Sequence, residues 1–67
     1  MNISVLGHVA TIIADLVVEE KVTKVRALLL SYPARALPEL ALRVHGELNP
    51  DMQVRFADYA RDLAEDA

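Results

Sequence analysis

The apolar pattern of the first thirty residues reverses its phase part-way along, and no turn-forming residue marks the reversal. At about 100° per residue, Leu6, Val9, Ile13, Leu16 and Val17 share one face, opposed by Ser4, His8, Thr11 and Asp15, which reads as a helix over residues 3–18. Val18, Val22, Val25 and Leu29 form a second stripe. On one straight helix that stripe points roughly opposite to the first, and the phase change falls at Glu19-Glu20-Lys21. With neither Gly nor Pro there, the expectation is one long helix that bends or bridges, with a break at these residues as the alternative. The β-branched run of Ile3, Val5, Val9, Ile12, Ile13, Val17 and Val18 keeps a strand open as a further reading.

Two opposed apolar stripes cannot both face one small core. Ile, Leu, Val, Met and Phe make up 24 of the 67 residues, a high load for so small a body. Three helices of this size bury a smaller share of their surface than a larger domain does, and a chain without cysteine has no disulfide to compensate. Homodimerisation about a two-fold axis meets both problems. The alternative is a monomeric bundle in which the last two helices cover the second stripe of Val18, Val22, Val25 and Leu29.

The rest of the chain reads as helix as well. Asn49-Pro50-Asp51 combines a capping side chain, a proline suited to the first helical position and an acid that complements the positive helix end. Met52, Phe56, Tyr59 and Leu63 then form an amphipathic stripe, with Asp58, Arg61, Asp62 and Glu65 opposite. Asp51 and Arg55 are spaced to pair along that helix. A preceding helix is expected over about residues 38–48, with Leu37, Leu40, Ala41, Val44 and Leu48 as its apolar stripe. In it Glu39 lies four residues before Arg43, and Gly46 stands near the end, where it can help the chain turn. Tyr32-Pro33-Ala34-Arg35-Ala36 is a connector, since each proline disfavours helix in the residue before it. The expected architecture is therefore one all-α domain, residues 1–67, of three or possibly four short helices, a bundle completed by homodimerisation.

Candidate chemistry is sparse. Two Ser, two Thr, two His and no Cys offer little from which to build a nucleophile and its base, so no enzymatic activity and no catalytic residue are expected. His8 and His45 lie on different helices without a metal-ligand spacing, and cysteine sites are excluded; neither metal nor cofactor is expected. Asp15, Glu19 and Glu20 form an acidic cluster that reads as a solvated face rather than an acid–base pair. Gly7 and Gly46 are too few for a phosphate-cradling loop. The least charged stretch, residues 1–14, is too short to span a bilayer. It also lacks the marks of a signal peptide, so the expected compartment is the cytoplasm. Arginine exceeds lysine five to two in an Ala- and Leu-rich chain, which hints by association at a bacterial or phage genome.

Charge is segregated. Residues 1–20 carry net −3, residues 21–43 net +4 and residues 44–67 net −4. A basic middle can match the flanking helices, steer an acidic protein partner or contact nucleic-acid phosphates. For a helix-turn-helix, the available second helix begins Pro50-Asp51-Met52-Gln53 and is acidic overall, which phosphates would repel. The overall net charge of −3 also weighs against nucleic acid. The function expected is non-enzymatic protein binding by a small regulator, inhibitor or adaptor. A phage or plasmid inhibitor of a host protein complex and a bacterial regulator that sequesters another regulator both fit. Lys21, Lys24, Arg26, Tyr32 and Arg35 are the expected partner-binding residues, since Arg and Tyr are frequent interface anchors. A small DNA-binding regulator using residues 21–43 is the alternative.

Overall fold

The computed structural model describes the backbone of residues 3–66 and the side chains of residues 5–65. Four α-helices account for most of it: α1 (Ile3–Val18), α2 (Val22–Leu30), α3 (Leu37–Gly46) and α4 (Pro50–Asp66), with a 3-10 turn at Ala34–Ala36. The described residues contain no strand, so the fold is all-α. Ser4, placed on the polar face of the first helix, lies outside the described side chains.

The first thirty residues are two helices, not one, and the break stands where the apolar phase reverses. Glu20 adopts a left-handed backbone, φ 62°. Its N–H bonds the Val17 carbonyl at 3.0 Å, and the Lys21 N–H reaches back to the Leu16 carbonyl at 3.0 Å. This pair of bonds closes a helix C-terminus with the left-handed residue just beyond it, a place usually held by glycine. The absence of glycine was therefore a poor argument for a continuous helix. Here the gain from turning α2 onto the core outweighs the roughly 1–2 kcal/mol that a left-handed conformation costs a side-chain-bearing residue.

The break resolves the opposed stripes only in part. Val25 and Leu29 join the core, while Val18 and Val22 stay outside it, 58% and 46% exposed. The second stripe is thus divided, two of its residues in the core and two on the surface. The core is built on α1, which contributes Leu6, Ala10, Ile13, Ala14 and Val17. Ala10 and Ala14 keep that face low, and α3 packs along α1 more extensively than any other helix does, bringing in Leu40 and Val44. Leu48 and Phe56 complete it.

Thr11 ties α1 to the end of α3. Its hydroxyl lies 2.8 and 3.0 Å from the two Glu47 carboxylate oxygens and 3.1 Å from the Gly7 carbonyl, and its single proton serves one of these acceptors at a time. Gly46 is helical, with no positive φ, so the turn after α3 does not use its conformational freedom. The start of α4 is as expected: the Met52 N–H donates to Asn49 Oδ1 at 2.9 Å, and the Gln53 N–H to the Asn49 carbonyl at 2.9 Å. Arg55 pairs with Glu20 on the α1–α2 turn rather than with Asp51. Glu39 and Arg43 do pair along α3, at 3.3 Å.

The molecule is a slab. Its principal extents are 28, 26 and 16 Å, a depth of about two helices at interaxial spacings of 8–10 Å.

Candidate functional site: an apolar groove between α3 and α4

Helices α3 and α4 run antiparallel, joined by Glu47–Asn49, yet they do not pack closely on each other. Near the joint, Gln53 Nε2 donates to the His45 carbonyl at 3.0 Å and holds the two together. Residues from the start of α3 and the second half of α4 line a groove of about 490 Å³, to which no described α1 residue contributes. Leu29 and Phe56, both almost fully buried, form its floor. Leu37, Pro38 and Ala41 line one wall; Ala60, Leu63 and Ala64 line the other. The groove continues towards the joint as a shallower trough of about 330 Å³ that reaches Leu42, His45 and Ala57.

Local sequence explains both walls. On α4 the core stripe of Met52, Phe56, Tyr59 and Leu63 is flanked on one side by Ala57, Ala60 and Ala64. These methyl groups are small and apolar, and they leave the gap to α3 open. On α3, Leu40 and Val44 point to α1, which leaves Pro38, Ala41 and Leu42 facing the gap or solvent. Leu42 is 71% exposed on the lip, and Leu30, at the end of α2, is 59% exposed beside the main groove.

Among the described residues no charged side chain lines the main groove, and the one hydroxyl that does is that of Tyr32. Such walls offer shape and carbon surface to a ligand. Among the described residues there is also no group of three or more His, Cys, Asp or Glu side chains arranged to hold a metal ion. No helix among them is long and apolar enough to cross a membrane.

The expected partner-binding residues lie between the α1–α2 break and the 3-10 turn, in different settings. Tyr32 is half-buried, with its ring against the core and in the groove; its place in a connector suggested exposure, but Leu29 and Leu37 on either side draw it inward. Lys21 pairs with Glu19 at 3.3 Å on the helix break. Arg26 faces α4, in a small cleft shared with Tyr59 and Asp62. Lys24 and Arg35 are exposed on separate elements. His8 and His45 are both exposed and lie on different helices. The groove itself was missed by sequence reasoning, although Leu30, Leu42 and the α4 alanines, apolar and outside every core stripe, were its available signal.

Comparison with protein-family models, with curated proteins and with solved structures gives the fold no named relative. The chain matches none of them.

Proposed function

We propose that this chain is a non-enzymatic protein-binding module, a small regulator, inhibitor or adaptor, and that the α3–α4 groove is its recognition surface. The observation that carries the reading is the groove's composition. Contiguous apolar surface left exposed is a feature of protein–protein contact sites. A cleft with two helical walls suits another helix laid along it by its apolar face. The alanines on α4 permit close approach of that helix, and Leu42 and Leu30 supply the large apolar groups at its edges. Homodimerisation and a cytoplasmic setting belong to this same proposal. The alternative of phosphate binding through residues 21–43 has less to support it, because the net charge of the chain is −3.

The reading is tested by blocking the groove with Leu30→Lys and Ala64→Arg together, both at exposed positions. Tagged wild-type and blocked chains are compared for captured proteins and for solution mass. A protein, whether a second copy or another chain, held by the wild type and lost on blocking is the expected result. Identical capture and identical mass, with helicity intact by circular dichroism, would refute the groove as a binding surface.

A further inference from the structure

We infer that α1 is an exchangeable helix: the Glu19–Lys21 turn opens into continuous helix, and each α1 then packs on the α2–α4 unit of a second copy. The local chemistry of that turn runs largely against a break. Glu20 holds a left-handed backbone, φ 62°, a conformation costly to any residue that bears a side chain. No side-chain hydrogen bond caps the start of α2, and its first turn holds no acid, although both would steady a helix N-terminus. The charges also have the wrong sign for the helix ends at which they stand. Asp15, Glu19 and Glu20 gather at the end of α1, where the helix dipole is negative, and Lys21 and Lys24 at the start of α2, where it is positive. A continuous helix has neither end there, and glutamate and lysine are good helix formers. The ion pairs Lys21–Glu19 and Arg55–Glu20 favour the turn, but both are exposed and such pairs contribute little.

What holds the turn is the core. α1 supplies Leu6, Ala10, Ile13, Ala14 and Val17, and it packs on α2, α3 and α4. That burial does not depend on α1 and the α2–α4 unit belonging to one chain. As one helix, residues 3–30 would run about 42 Å at about 1.5 Å per residue, well beyond the 28 Å longest extent of the closed chain, so a straightened α1 leaves its own core. A second copy opened in the same way offers the identical surface, and the two α1 helices change places. The interface asks for no new complementarity, because it is the contact between α1 and the rest of the chain that the structure already shows. Exchange of an identical element through a short, strained hinge is a low-cost route to a dimer.

The exposed valines beside the turn fit the same arrangement. Val18 and Val22 flank it and stay outside the core. In a continuous helix they share one face with Val25 and Leu29, at i, i+4, i+7 and i+11. A two-fold axis through Glu20 brings each Val18 level with the partner's Val22 where the long helices cross, since both stand two residues from it. The α3–α4 groove is left as it is, because no described α1 residue lines it, and the dimer carries two such grooves.

The test is refolding from urea at micromolar and at millimolar concentration, followed by light scattering, with helicity checked by circular dichroism. Millimolar refolding is expected to give a species near twice 7.4 kDa that separates only slowly on dilution, since each α1 must leave a core to return. Glu20→Ala and Glu20→Gly lose the Arg55 pair alike. Alanine favours the straight joint and glycine the left-handed turn, and a dimer holds two joints. Glu20→Ala is therefore expected to have a dimer Kd about a hundredfold below that of Glu20→Gly. Thr11 and Glu47 touch across α1 and the end of α3, in a chain with no cysteine of its own. In the Thr11→Cys/Glu47→Cys variant a short bis-maleimide should join the two thiols within one chain of the monomer and between chains of the dimer, read as single or double mass on a denaturing gel. A wild type that stays monomeric after millimolar refolding would overturn the inference. So would a dimer whose thiols link within one chain, or one that forms equally with alanine and glycine at position 20. The groove reading stands or falls apart from these results, through capture by the chain blocked with Leu30→Lys and Ala64→Arg.

Discussion

Replacing Glu20 by glycine and by alanine gives a comparison whose sign depends on whether the first thirty residues are one helix or two. Both variants lose the exposed Arg55–Glu20 ion pair, worth about 0.2–1 kcal/mol, so their difference is free of that contribution. At a left-handed position such as Glu20, φ 62°, alanine keeps the roughly 1–2 kcal/mol conformational cost that glycine escapes. Glycine gives back about 0.5–1 kcal/mol through its greater freedom in the unfolded chain. The glycine variant should therefore be the more stable of the two by up to about 1.5 kcal/mol. In an uninterrupted helix the order reverses, with alanine ahead by about 0.8–1.0 kcal/mol. Urea unfolding followed by circular dichroism, at one fixed chain concentration, resolves the two cases. With a slope of about 1 kcal/mol per molar for a small domain, the midpoints should differ by up to about 1.5 M. An alanine variant clearly more stable than the glycine variant would refute the helix break and with it the placement of Val25 and Leu29 in the core.

Gly7→Ala should stabilise the protein by about 1 kcal/mol, since Gly7 lies inside α1 and an added Cβ would meet only Arg43 Nη1 at 4.0 Å; a lower melting temperature than wild type would contradict this. Asn49→Ala removes the acceptor of the Met52 N–H and should cost about 1 kcal/mol in the same urea assay, whereas an unchanged midpoint would mean that the cap contributes nothing. Leu40 and Leu42 stand two residues apart on α3, one fully buried and the other 71% exposed. Leu40→Ala should cost about 2–5 kcal/mol and leave much of the chain unfolded, given that a core this small supplies only a few kcal/mol in total. Leu42→Ala should leave helicity unchanged, and comparable losses from the two would show that α3 is rotated from its described orientation.

Much of the helical plan was legible from residue order alone. Asn49-Pro50-Asp51 announced α4 because its capping chemistry acts within four residues and needs no distant partner. The stripes of α1, α3 and α4 announced their buried faces because helical periodicity is a local property: Ile13, Val44 and Phe56 are buried as their spacing requires. The Glu39–Arg43 pair along α3 has the same local character. The phase reversal at Glu19-Glu20-Lys21 was equally visible, and it located the junction correctly. What it did not reveal was that a glutamate would take the left-handed turn, because that cost is met by burial of Val25 and Leu29 far along the chain.

The remainder was decided only in three dimensions. Arg55 had Asp51 in reach along its own helix, and its pairing with Glu20 follows from the way the α1–α2 turn is set beside α4. Tyr32 was drawn into the groove by its neighbours' packing. The groove depends on the angle at which α3 leaves α4, and helix spacing within either segment carries no information about that angle. Periodicity determines which face of each helix is apolar; how completely those faces cover one another depends on side-chain volumes summed over the whole core. Here small alanines line one wall and α1 draws Leu40 and Val44 away from the other, so the two helices part and an apolar surface is left between them.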